Sequence, residues 1–247
     1  MANHYNVCSG GAVHKAIPVG AYGKIVTAGA QANTLLWPDG TFVIPTTAGL
    51  SMTIQSTSAN DAAAGTGIRT VEVHYLDVDL NEAAEVVTLN GTTSVGLSYA
   101  NIRFIQCTHA LTVGSGGVAA GDITVTSGGQ TYGEIATGEL RCASSARMVP
   151  KNKIYYVQGL SGGSTSGSAA ASVLIKFAAT MIDSNILTSE GIFMPMAGIA
   201  VQDNSAAYTV PIALPFPEGV VIAMTASSDK AATITGSWYG WEEPASN

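Results

Sequence analysis

The residues Gly159, Leu160, Ser161, Gly162 and Gly163 match GxSxG, the turn on which serine hydrolases hold their nucleophile. That chemistry needs a strand before the serine and a helix after it, whose N-terminus helps to stabilise an oxyanion. Here more Gly and Ser follow, then the strand-like run Val173 to Phe177, so the context for a nucleophile fails. Asp77, Val78, Asp79, Leu80, Asn81 and Glu82 open like a calcium loop. An EF-hand would place Gly where Glu82 stands and a bidentate Glu where Thr88 stands, so a polar β-turn is the expectation. His4, His14, His74 and His109 do not fall at ligand spacings. His74 alternates with apolar neighbours on an expected strand and reads as a hydrogen-bonded or interface histidine. Glu134 and Glu139 are the only candidates for a glycosidase carboxylate pair, and nothing else supports that role. Cys8, Cys107 and Cys142 are odd in number and widely spaced without a CxxC pair, which predicts free thiols. The expected catalytic, cofactor-binding and metal-ligating sets are therefore all empty, and the chain is expected not to be an enzyme.

The elements around these residues read as strands. Runs rich in Val, Ile, Thr, Tyr and Phe, bounded by Gly, Asn, Asp and Ser, place strands near 23–27, 41–45, 51–56, 68–76, 84–90, 102–113, 122–126 and 131–136. Others are expected near 154–159, 172–181, 192–201, 208–214, 219–225 and 231–241. Val71, Val73 and Tyr75 alternate with Glu72 and His74, which predicts one buried and one polar face. Asn90-Gly91 is a hairpin signal, a better reading of Asn90-Gly91-Thr92 than a glycosylation sequon. Trp238 falls on one face of the last strand, and Tyr239 with Trp241 on the other. No window keeps apolar residues at helical spacing; a single turn near Asp183 to Leu187 is the most helix expected. Strands following one another without helices predict an all-β fold, an antiparallel β-sandwich of jelly-roll type. Residues 1–49 form an extended N-terminal arm with short strands, and 50–247 the sandwich domain. The Gly/Ser run 159–168 is expected to be a flexible loop or a seam.

Composition narrows the partners. Charged residues make up 11% of the chain, against roughly 25% in an ordinary soluble domain. Charge is the usual protection against self-association, so this deficit predicts a surface committed to other chains. The net charge of −7, with no cluster of Lys or Arg, argues against nucleic acid. No apolar run is long enough to span a membrane as a helix, and the first residues lack the basic and apolar regions of a signal peptide. Synthesis in the cytoplasm is expected.

Residues 56–126 carry a pattern of higher specificity. STSANDAAAGTGIRTVEVHYLDVDLNEAAEVVTLNGTTSV, followed by TVGSGGVAAGDITVTSGG, resembles a family of tailed-bacteriophage virion proteins. These share a small-residue turn, a TG.RTV strand, an LD...NE hairpin, a VTLNGTT turn and a GSGG..AGDITV strand. Family hairpins often have Gly where this chain has Leu80. The resemblance implies a capsid decoration (cement) protein on the outer capsid surface, a homotrimer gripping the major capsid protein through its arm. The alternative it implies is a head-fibre or tail appendage binding a host receptor or glycan, with Tyr239, Trp241 and loop 159–168 at its tip. On the arm reading, deleting residues 1–40 leaves a soluble module that no longer binds capsids.

Overall fold

The computed structural model describes residues 17–38, 42–166, 171–180, 186–187, 193–202 and 208–245. Its strands are β1 (Ile17–Val26), β2 (Gln31–Leu35), β3 (Phe42–Val43), β4 (Thr53–Ser56), β5 (Ile68–Asp77), β6 (Glu82–Thr88), β7 (Val95–Gly96), β8 (Ile102–Val113) and β9 (Ile123–Ser127). They continue as β10 (Gln130–Ile135), β11 (Arg147–Met148), β12 (Lys153–Thr165), β13 (Ser172–Thr180), β14 (Ile186–Leu187), β15 (Phe193–Gln202), β16 (Tyr208–Pro217), β17 (Val221–Ser228) and β18 (Thr233–Pro244). The fold is all-β with antiparallel sheets, and no described residue is helical. The turn expected near 183–187 falls largely outside the described residues; within it, Ile186 and Leu187 pair with β3.

Two sheets, ordered β1-β18-β12-β16 and β11-β17-β13-β15, contribute side chains to the largest core, where Ile25, Leu160, Ile175, Phe177, Met224 and Trp238 are buried. β2 pairs with β17 beside the second sheet. Residues 17–35, expected within an arm, thus supply β1, paired along its whole length with β18, and β2. A deletion reaching residue 40 would remove strands from both sheets. The prolines of the late strands sit where a missing N–H does least harm: Pro195 is on edge strand β15, and Pro211, Pro215 and Pro217 are on edge strand β16.

The Gly/Ser run is not a loop where it is described. Through Thr165 it is the second half of β12, hydrogen-bonded between β16 and β18. Glycine lets neighbouring side chains lie close over this half of the strand: a Cβ on Gly162 would lie 2.6 Å from Ile175 Cδ1, and one on Gly159 2.5 Å from the Tyr239 hydroxyl oxygen, so either side chain would have to move. Residues 167–168 lie outside the described residues.

Strands β4 to β10 form a second unit between β2 and β12 in the chain, with sheets β6-β5-β8 and β10-β9-β4-β7 over a core that includes Ile54, Val71, Val73, Tyr75, Ile123 and Val125. Its connections converge on the carboxylate of Asp61, which is fully buried. Oδ1 accepts the main-chain N–H of Ile68 at 2.7 Å and of Ala120 at 3.0 Å; Oδ2 accepts the Ser56 hydroxyl at 2.6 Å and the Gly121 N–H at 2.9 Å. Gly67 has no side chain because its Cβ would fall 2.1 Å from Asp61 Oδ1. A turn forms at Asn90-Gly91, with Gly91 at φ +60° and its N–H donated to the Asp61 carbonyl at 2.8 Å, but it does not close the expected hairpin: β6 pairs with β5 and β7 with β4. A third apolar cluster, including Trp37, Leu76, Phe104, Met148 and Val221, joins the two units.

Candidate functional site

β5 and β8 place four side chains with donor atoms on one face. Because alternate residues of a strand share a face, burying Val71, Val73 and Tyr75 turns Glu72 and His74 the other way. Antiparallel register then sets His109 opposite Glu72 and Cys107 opposite His74. Glu72 Oε2 lies 3.0 Å from His74 Nε2 and 3.3 Å from His109 Nε2. The two imidazoles stack with centroids 5.3 Å apart and planes 22° from parallel. All three side chains are half-buried.

This face forms one wall of a cavity of about 570 Å³ between the two units, lined also by Ile17 and Val19 of β1, Arg147 of β11, Lys153 and Tyr155 of β12, and Glu242 of β18. Lys153 pairs closely with Glu242, and its Nζ is 3.7 Å from Glu82 Oε2. Burial works against the ammonium, but Glu242 and Glu82 outweigh it and hold Lys153 above the usual lysine value. Burial, then the charge of Glu242, pushes Glu82 up, against the pull of Lys153. Tyr155 is likewise raised, by burial first and then by Glu242. A chain with few charges gathers several of them here.

Cys107 Sγ lies 3.2 Å from Cys142 Sγ, and both are thiols. The Cys142 sulfur accepts the Thr108 N–H at 3.4 Å. Its hydrogen bond with Cys107, and then the charge of Arg147, hold the Cys142 thiol below the usual value; that same contact and burial push Cys107 up. With the sulfurs already 3.2 Å apart, an oxidant is expected to close the pair into a disulfide. Chain-entropy arguments assign about 3.8 kcal/mol to the 35-residue loop. Strain in drawing the sulfurs to bonding distance subtracts from that, for a net gain of about 2 kcal/mol. Diamide treatment followed by thiol titration and urea unfolding checks it: two thiols lost per chain and a raised midpoint are expected, both absent in Cys142→Ser. Cys8 lies outside the described residues, as do His4 and His14.

The other candidates disperse. Ser161 sits in mid-strand, its hydroxyl 2.6 Å from that of Ser237, with no turn to strain it. The Asp77 carboxylate is occupied by protein donors: the N–H groups of Asp79 at 2.8 Å and Asn81 at 2.9 Å, and the Asn81 amide at 3.0 Å. Burial would raise its pKa, but these bonds and the charge of Lys151 prevail and hold it below the usual value. Leu80 has φ +64°, the conformation for which a glycine is suited, while its side chain packs on the cluster joining the units. Glu139 pairs with Lys24 at 3.2 Å, and Glu134 is buried on β10. Trp238 is buried, donating to the Ser145 carbonyl at 2.8 Å, whereas Tyr239 is exposed and Trp241 stacks on Tyr156 at 5.6 Å.

Sequence reasoning missed Asp61, the Lys153 pairs and the Glu72–His74–His109 cluster. Only the Glu72-x-His74 spacing, which on a strand puts both residues on one face, was a legible signal for the last.

No protein-family model matches the chain, and no curated protein does. Solved virus particles show weak structural similarity. A structure of infectious bursal disease virus, Gx strain, is 8% identical, with 94% of this chain and 81% of that one covered at a TM-score of 0.22. The T13 particle of the same virus is 11% identical, with 94% and 73% covered and a TM-score of 0.16. Likeness at that level carries no argument about function.

Proposed function

We propose that this chain is a non-enzymatic virion structural protein of a tailed bacteriophage, an outer-capsid decoration protein that packs against copies of itself and the major capsid protein. Support for the fold part of this reading comes from strand pairing. Leaving aside the inserted unit and the two-residue strands, eight strands remain in chain order: β1, β2, β12, β13, β15, β16, β17 and β18. The first pairs with the eighth, the second with the seventh, the third with the sixth and the fourth with the fifth. Rolling up one long hairpin produces this pattern, with β18 meeting β12 and β17 meeting β13 where it closes on itself. This pairing pattern is that of a jelly roll, an architecture common in viral capsids, and supports the proposal.

The single observation that carries the assembly role is the outward face of the sheet β1-β18-β12-β16. Consecutive cross-strand rows read Pro18, Trp241, Tyr156 and Pro215; Gly20, Tyr239, Gly159 and Pro211; then Tyr22, Ser237 and Ser161. None of these carries a charge, with Glu243 and Lys24 only in the rows that border them, and Tyr22 and Tyr239 are each 45% exposed. Over the whole surface, 27 charged side chains on 11330 Å² leave one per roughly 420 Å², less than half the usual density. Such a face suits permanent contact with a neighbouring chain. The trimer is expected in native mass spectrometry, and Tyr22→Glu with Tyr239→Glu is expected to give folded monomers that no longer sediment with capsids. A wild-type monomer with no affinity for capsids would overturn the reading. The second reading, a head-fibre or tail appendage binding a receptor or glycan, is favoured by the same aromatic rings, which could stack on sugar. Copy number in purified virions separates the two: hundreds for decoration, a dozen or fewer for an appendage.

A further inference from the structure

We propose that Glu72, His74 and His109 form a binding site for a divalent transition metal ion of the zinc class. Their donor atoms, one carboxylate oxygen and two imidazole nitrogens, all lie within 4.8 Å of one another. Around a tetrahedral zinc with bonds near 2.05 Å, neighbouring donors stand roughly 3.3 Å apart. The separations of 3.0 and 3.3 Å from Glu72 Oε2 to the two ring nitrogens already match this.

The backbone beneath the donors is fixed. Glu72 and His74 are two residues apart on β5, and His109 is held opposite Glu72 by the ladder to β8, so the site needs no loop to close over it. Aiming both rings at one ion takes only rotation about the outer imidazole torsion, which has a broad energy minimum. Two imidazoles with one carboxylate select zinc, cobalt or nickel over calcium and magnesium, which take oxygen ligands. Three protein ligands leave one position open. His74 and His109 both line the cavity between the units, so that position faces a space that water or a small anion can enter. Cys107 lies across the ladder from His74 but is engaged with Cys142, and it falls outside the three-donor group.

The test uses the full chain after dialysis against a chelator. Titration with Co²⁺ is expected to give the visible absorption of a low-coordinate cobalt site saturating at one ion per chain, bleached by one equivalent of Zn²⁺. Calorimetric Zn²⁺ affinity is expected to fall at least about 100-fold in His74→Ala and in His109→Ala, and to be unchanged in Cys107→Ser. Circular dichroism and urea unfolding of the metal-free variants show that each remains folded. His109→Gln, which keeps the volume and a hydrogen bond to Glu72, is expected to lose metal in the same way. Zn²⁺ affinity equal in wild type and the His74→Ala/His109→Ala double variant would overturn the proposal. So would a site abolished by Cys107→Ser, because the thiol pair would then be the ligand.

Discussion

Replacing Asp61 with alanine is expected to lower the unfolding free energy by about 5 kcal/mol. The carboxylate is inaccessible to water and receives the N–H groups of Ile68, Ala120 and Gly121 and the Ser56 hydroxyl. Truncation strands the buried N–H groups of Ile68 and Gly121 and the buried Ser56 hydroxyl, each costing roughly 1–3 kcal/mol without an acceptor, while the more exposed Ala120 N–H can turn to water. Asparagine is a sharper probe. With its oxygen at the Oδ1 position it still accepts from Ile68 and Ala120, but its amide then meets the Gly121 N–H donor to donor, while Ser56 can rotate to accept. A loss of about 2–3 kcal/mol is expected for Asp61→Asn. Urea unfolding of the three proteins checks the order, alanine weakest and wild type strongest. Wild-type stability in Asp61→Ala would refute the role of this carboxylate as the tie between the loops of the inserted unit.

Lys153→Met is expected to cost about 3 kcal/mol at neutral pH and much less in acid. Removing the ammonium leaves Glu242, 7% exposed, and the exposed Glu82 beside it without their shared cation. Glu82 is already raised by burial and by Glu242, and Lys153 is what pulls it back, so the substitution raises it further. A carboxyl raised in the folded state contributes stability that is fully present below its unfolded value, near 4.5, and lost as pH rises through the folded value. The variant should therefore approach wild type below about pH 4.5 and diverge from it toward neutrality. The lysine of the wild type behaves in the same direction at the other end of the scale. Its raised value keeps the ammonium charged past 10.5, so at the alkaline end the pair's contribution fades only as pH climbs past the folded value. Parallel stability curves for the two proteins from pH 4 to 8 would exclude a structural role for the pair.

The sequence by itself determined most of the long strands and which way their side chains point. The alternation at Val71, Val73 and Tyr75, the split of Trp238 from Tyr239 and Trp241, the turn at Asn90-Gly91 and the 102–113 strand are all local properties, set by a period of two and by glycine's access to positive φ. Local signals stop short of pairing. Main-chain hydrogen bonds between strands are the same for every residue type, so nothing in Ile17–Val26 announces that its partner is β18 at the far end of the chain. The short strands Gln31–Leu35, Val95–Gly96 and Arg147–Met148 exist only because a neighbour offers its edge. The Gly/Ser run had the composition of a loop, and only its pairing between β16 and β18, distant in sequence, made it a strand. The donor cluster divides in the same way. Its Glu72-x-His74 half was written in the spacing, while His109, Cys107 with Cys142, and Lys153 with Glu242 were brought together by register and by the docking of two units, which depend on the whole chain at once.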